Sequence, residues 1–175
     1  YLIKFKHYLN ENTKSKSNKN ISYHYDLGNN FYQQWLDQTM TYSSAIFSDT
    51  NYNLFDAQIH KYDQIAKPMK LNENSNVLEI GCGWGGFSTY IAKKYKSKVK
   101  AITISKAQFD YTSQKINDEG LNEMVSVEMR DYRDINKKYS NIASIEMFEA
   151  VGKEYWCTFL ETIKFLFGHL IFIVL

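Results

Sequence analysis

The sequence predicts an α/β domain: a parallel sheet with helices on both faces. Three observations predict it. From Asn76 onward, short aliphatic runs alternate with stretches of helical periodicity, the pattern of successive strand–helix–strand units. The first aliphatic run leads straight into a glycine-rich bend, "VLEIGCGWGG", at residues 77–86. At 175 residues and 44% apolar composition, the chain is sized for one domain with a sizeable core.

The elements follow in order. Residues 77–80 form strand one, and 87–95 a helix. Residues 99–104 form strand two, and 107–119 a helix that ends near Gly120. Residues 125–129 form strand three and 142–146 strand four. A helix over 155–165 precedes strand five at 170–175. Upstream, "NNFYQQWLD" puts Phe31, Trp35 and Leu36 at helical spacing. "LFDAQIHKYDQIAKPM" continues with Leu54, Ile59, Tyr62 and Ile65 along one stripe, stopped by Pro68. Residues 1–20 are polar, basic and rich in Asn and Ser, the composition of a loose arm.

Composition excludes several classes. A net charge of +2 is too small to indicate nucleic acid. Two cysteines, Cys82 and Cys157, make no disulfide framework. The run at 165–175 is interrupted by Gly168 and His169 and falls short of the roughly 20 residues of a membrane helix. Lys4, Lys6, Lys14, Lys16 and Lys19 crowd the N-terminal arm. They suit either a solvated leader or weak contact with an anionic membrane surface. The chain starts at Tyr1 and stops within an apolar run, so both ends read as cut.

The glycine bend carries the chemistry. In an open parallel sheet it lies in the ligand crevice beyond a strand's carboxyl end. Gly81, Gly83 and Gly85 allow unusual dihedrals and close approach of the backbone. The helix that follows favours a carboxylate or phosphate at its N-terminus. The spacing matches neither a dinucleotide fingerprint nor a phosphate-binding loop. S-adenosylmethionine is the remaining common occupant, and a plain tight turn is the bland alternative. Glu79, two residues before Gly81, organises the loop or reaches a cofactor ammonium through water. Cys82 reads as structural.

Five stretches then carry a resemblance: "HYDLGNNFYQQWLD" from His24, "MTYSSAIF" from Met40, "VLEIGCGWGG", "ITISKAQ" from Ile102 and "SIEMFEAVG" from Ser144. Together they resemble the cyclopropane-fatty-acyl-phospholipid synthase family, which includes the mycolic acid cyclopropane synthases. The match runs from Ile21 to Lys164. The resemblance implies a Rossmann-like class I methyltransferase fold with strand order 3-2-1-4-5, the sheet incomplete because the final strands are missing. It implies an aromatic-rich helical cap over residues 21–70 and a cofactor-binding domain over 71–175. S-adenosylmethionine would lie against Gly81, Gly83, Trp84 and Gly85, with Tyr42 and Ser43 closing over it. Thr103, Ile104, Ser105 and Gln108 would follow strand two, and Tyr132 and Arg133 would lie along the adenine.

The same resemblance implies methyl transfer to the double bond of an unsaturated phospholipid acyl chain, giving a cyclopropane or a methyl branch. No metal is implied. Glu149 falls at the reaction centre, where the family holds bicarbonate as the base. Glu149 would anchor bicarbonate, act as a general base itself, or serve only as a carboxylate at a helix N-terminus. Ser44 takes a place at the reaction centre where the family often has Cys. Ala150 stands where many members have His. His24 and Tyr25 edge the site or form a packed turn, and Asp26 caps the next helix. The missing part would hold the final strands and the family's further bicarbonate-binding His and Tyr, so strand five is left as an apolar edge and a chain of this extent is expected to be poorly soluble or only marginally stable, and catalytically impaired. A cytoplasmic enzyme, peripheral on the inner membrane face, fits this reading. A small-molecule N- or C-methyltransferase and a non-catalytic cofactor-binding fragment are the alternatives.

Overall fold

The computed structural model describes residues 28–174. The basic arm and His24, Tyr25 and Asp26 lie outside the described residues. Five parallel strands form one sheet in the order β3-β2-β1-β4-β5. They are β1 (Asn76–Ile80), β2 (Lys98–Thr103), β3 (Val125–Met129), β4 (Tyr139–Ile145) and β5 (Phe167–Val174). The helices are α1 (Asn29–Tyr32), α2 (Leu54–Met69), α3 (Gly86–Tyr95), α4 (Lys106–Asp118) and α5 (Trp156–Leu166). The expected strand order is therefore present.

Register places the central strand. Val77 pairs with Val99 of β2 and with Asn141 of β4. Side chains alternate across a strand, so β1 feeds two cores. Val77 packs with Phe87, Ile91, Val99 and Ile116, beneath Tyr62 and Ile65 of α2. Leu78 and Ile80 pack with Ile102, Ile142, Phe159, Ile163 and Leu166 on the opposite face. Helices α2, α3 and α4 thus cover one face, and α5 covers the other. Burial of a large apolar side chain is worth about 1.5–3 kcal/mol, so these two layers hold the strand ends in register.

Four sequence expectations are corrected. The helix expected across Phe31, Trp35 and Leu36 is one turn, Asn29–Tyr32, and Trp35 is exposed. Strand four begins three residues earlier than expected, at Tyr139. Pro68 does not stop α2 but sits inside its last turn. The helix ends at Met69 because Lys70 turns left-handed, at φ 50°. Leu54 is exposed at the start of α2 rather than in its buried stripe, where Gln58 and Lys61 lie instead. The start itself is a capping box: Asn53 Oδ1 accepts from the Asp56 amide at 2.9 Å, and the Asp56 carboxylate accepts from the Asn53 amide.

At the bend between β1 and α3, Gly85 has φ 78° and packs on α4, where a Cβ would fall 2.6 Å from Thr112 Cγ2. Gly85→Ala is therefore expected to destabilise by about 2–4 kcal/mol, from left-handed strain and overpacking together. Gly85→Ala combined with Thr112→Ser removes the clashing methyl and keeps the hydroxyl bonded to the Gly83 carbonyl. Urea unfolding should find the double variant more stable than Gly85→Ala alone. Equal or lower stability would contradict the steric assignment.

Candidate active site

The bend is tied down before any ligand is considered. The amides of Gly81 and Cys82 both donate to the Ile102 carbonyl at 3.0 Å, and the Gly85 amide donates to the Cys82 carbonyl at 2.9 Å. A Cβ on Gly81 would meet Met147 Cγ at 2.7 Å. Gly81 and Gly85 are thus required by the protein's own packing. Gly83 differs: it is left-handed, at φ 54°, nothing lies within 4 Å of its missing Cβ, and it lines a cavity. That bare backbone is a cradle a ligand can approach closely.

The cavity has a volume of 520 Å³ and opens at the carboxyl ends of β1, β2 and β4. The expected site residues Tyr42, Ser43, Gly81, Gly83, Trp84, Thr103, Ile104, Gln108, Tyr132, Arg133 and Glu149 all line it. Ser44, Gly85 and Ser105 do not. Ser105 is spent capping α4, its hydroxyl accepting from the Gln108 amide. Ser44 is turned onto Glu146, to which its amide donates at 2.9 Å and its hydroxyl donates as well.

The walls are internally braced. Thr103 Oγ1 donates to Gln108 Oε1 at 2.8 Å and accepts from the Ser105 amide at 3.1 Å. Arg133 is held by Asp131, with Nε to Oδ1 at 2.8 Å, and lies over the Tyr132 ring. Tyr132 in turn packs edge-on against Phe159. Trp84 is buried and reaches the N-terminal segment: its Nε1 donates to Asn29 Oδ1 at 2.7 Å, and its ring centroid lies 4.8 Å from that of Tyr32. Glu149 sits in a one-turn 3₁₀ helix, Phe148–Ala150, just past β4.

Buried groups on the cavity wall have perturbed acidities. Burial pushes the Cys82 thiol well above its ordinary value, which disfavours the thiolate form. Burial pushes the Glu79 carboxyl up to about 8, opposed by hydrogen bonds from the Ser88 hydroxyl and amide.

Residues the sequence reading missed come from α2 and the end of β4. Gln58 Nε2 donates to the Ser43 carbonyl at 2.9 Å, and Lys61 Nζ donates to Ser43 Oγ at 2.6 Å and to the Ser44 carbonyl at 2.8 Å. The Thr41 and Tyr62 hydroxyls are bonded to each other beside Gly86. Glu146 lines the cavity with a left-handed backbone, φ 45°. A signal for the first two was present, since Gln58 and Lys61 are polar residues on the stripe that carries Tyr62 and Ile65. Among the described residues there is no cluster of His, Cys, Asp and Glu fit for a metal, and no helix long and apolar enough to cross a membrane.

A parallel sheet in this order, with a cradle after β1 and a cavity across the neighbouring strand ends, defines a Rossmann-like fold of the class I methyltransferase type. The family model for mycolic acid cyclopropane synthetase matches residues 12–169, and the chain belongs to that family. It is 42% identical over 134 residues to a probable fatty acid methyltransferase of Pseudomonas putida, covering 75% of this chain and 34% of the relative. It is 39% identical over 140 residues to the cyclopropane-fatty-acyl-phospholipid synthase of Escherichia coli K12, covering 80% and 35%. The chain thus spans about a third of these curated relatives. Among solved structures, the mycolic acid cyclopropane synthase CmaA1, complexed with SAH and CTAB, superposes with a TM-score of 0.84 at 29% identity, over 89% of this chain and 55% of that one.

The Glu79 shift has a measurable consequence. Its folded value of about 8 lies above the ordinary 4.5. The folded chain therefore holds more protons than the unfolded chain between those values, and stability falls as pH rises through that window. Glu79→Gln removes the titration. Urea midpoints at pH 5 and pH 8 are expected to drop for the unsubstituted chain and to change less for Glu79→Gln. Equal pH dependence in both would rule out Glu79 as the source.

Proposed function

We propose that the chain is the methyl-donor-binding part of an enzyme that transfers a methyl group from S-adenosylmethionine to the double bond of an unsaturated acyl chain of a phospholipid. The observation that carries the reading is the convergence of the Gly83 cradle, the post-β2 residues, the Tyr132–Arg133 wall and Glu149 on one cavity. The names of the two relatives support an acyl-chain acceptor. CmaA1 was solved with SAH, the demethylated form of the donor.

Bound S-adenosylmethionine supplies an electrophilic methyl group. The chain's residues then have distinct tasks. Gly83 admits the donor's polar end to the backbone. Thr103, Ile104, Gln108, Tyr132 and Arg133 orient its nucleoside end. Tyr42, Trp84 and Tyr132 line the cavity, and aromatic ring faces favour the positive charge that an alkene develops as it attacks. Their apolar bulk excludes water that would intercept that charge. Glu149 serves the proton that must leave the new methyl for a ring to close, either directly or by accepting the hydroxyl of a bicarbonate ion. Dependence of turnover on added bicarbonate separates those two roles. Residues 28–70 act as the cap of the site, residues 71–174 as its cofactor-binding domain, and the peripheral face of an anionic membrane as the place of work.

Two measurements test the reading. Calorimetric titration should show S-adenosylmethionine binding to the chain and at least a tenfold loss in Gly83→Val. Methyl transfer to vesicles of an unsaturated phospholipid should fall about 10²-fold in Glu149→Gln, with donor binding changed less than threefold. A chain that binds no donor overturns the cofactor assignment. A chain that binds but leaves Glu149→Gln fully active overturns the role of Glu149.

A further inference from the structure

Residues 41–44 belong to no helix or strand, bend at Ser43, and line the cavity through Thr41, Tyr42 and Ser43. Such a segment has little local reason to stay in place. Two groups hold it, one from α2 and one from the end of β4. From α2, Lys61 is 3% exposed yet carries an ammonium, which donates to Ser43 Oγ, to the Ser44 carbonyl and, at 3.4 Å, to the Ser43 carbonyl. From the end of β4, the Glu146 carboxylate accepts from both the amide and the hydroxyl of Ser44. Burying a cation and bending a glutamate into left-handed backbone both oppose folding. Neither cost is needed by the sheet or by the two cores. Lys61 does not line the cavity, so it has no route to a ligand except through this segment.

We propose that Lys61 and Glu146 are positioning residues that together clamp the 41–44 segment at Ser43 and Ser44, so that Tyr42 and Ser43 close over the bound methyl donor. The clamp itself stands on the chain's own contacts. Only its ligand rests on the function proposed above.

The clamp has a pH signature. Burial brings Lys61 down from 10.5 to about 8, opposed by the carboxylates of Glu146, at the end of β4, and Asp37, in the turn before the segment. The Tyr62 ring, from the same helix, lies 5.6 Å away and carries no charge. Below about pH 8 the ammonium offers three hydrogens and a charge between two carboxylates. Above it, a neutral amine offers two and no charge. The folded chain then binds fewer protons than the unfolded one between 8 and 10.5, so global stability rises with pH in that window. Local protection of the segment moves the opposite way.

Hydrogen exchange at residues 42–44 of the unliganded chain, corrected for intrinsic rates, tests the clamp. Lys61→Met, apolar and of similar length, should speed exchange there at least tenfold and leave α2 unchanged. Glu146→Gly relieves the left-handed strain and so should preserve the melt, yet it should also speed exchange at 42–44. In the unsubstituted chain, protection at these amides should decline through pH 8, and Lys61→Met should abolish that decline. Titration with S-adenosylhomocysteine should show at least tenfold weaker binding in both variants. Unchanged exchange at 42–44 in either variant overturns the proposal. If exchange responds as stated but the unsubstituted chain binds no S-adenosylhomocysteine, the clamp stands and the methyl-donor reading falls.

Discussion

The site depends on how closely the backbone at 81–86 is approached from all sides. β1 ends in the middle of a parallel sheet, where β2 and β4 flank it and α3 must start at once. Met147 comes to Gly81 from the β4 side, and Thr112 comes to Gly85 from α4. At Gly86 the approach is from the N-terminal segment, with the Tyr62 hydroxyl and Thr41 Oγ1 where a Cβ would be. Of the four glycines in this bend, Gly83 alone faces open space. Three of the four glycines in this bend therefore let the protein pack against itself, and that packing leaves the fourth as the concave floor of a cavity. A single methyl at any of the three would move the wall that it touches, because packed interiors relax only partially.

The N-terminal segment is part of this construction rather than an addition to it. Trp84 leaves the bend and lodges among Tyr32, Met40 and Asn29, so the loop and the segment above it hold each other. The aromatic cluster around it has edge-on and tilted geometries, with Tyr32 meeting Trp84, Trp35 and Tyr42, the arrangements that ring quadrupoles prefer. Buried polar groups then act at defined points. Gln58 and Lys61 take up carbonyls of a segment that has no ladder partner of its own, which answers the requirement that buried backbone groups be paired. Glu79, at the floor, is held by Ser88 at the start of α3. These groups weaken the fold individually and define the shape of the cavity jointly.

The fold was legible from local patterns. Alternating aliphatic and helical runs located all five strands and the helices that separate them, because a strand buried on both faces must be apolar throughout. Boundaries drifted where a cap or a tertiary contact decided them. Tyr139 and Ser140 read as loop yet belong to β4, because Tyr139 packs into the core beneath α5 and the Ser140 hydroxyl bonds Asn76 across the sheet. Pro68 reads as a stop, but proline in a final turn lacks only one bond, and the left-handed Lys70 ends the helix. The site was legible to the extent that motifs mark it. Eleven of the fourteen residues singled out line one cavity, and Ser44, Gly85 and Ser105 do not.

By itself, the sequence determined the order of elements, the glycine bend and the family, since these are set by residue type and spacing along the chain. Tertiary structure alone decided which glycine is the cradle, that Trp84 faces the N-terminal segment, and that Lys61 and Glu146 meet at Ser44. Lys61 and Glu146 are 85 positions apart in the chain. No periodicity links residues so distant. Only the packing of α2 and the end of β4 around one irregular segment brings a buried cation and the Glu146 carboxylate together at Ser44.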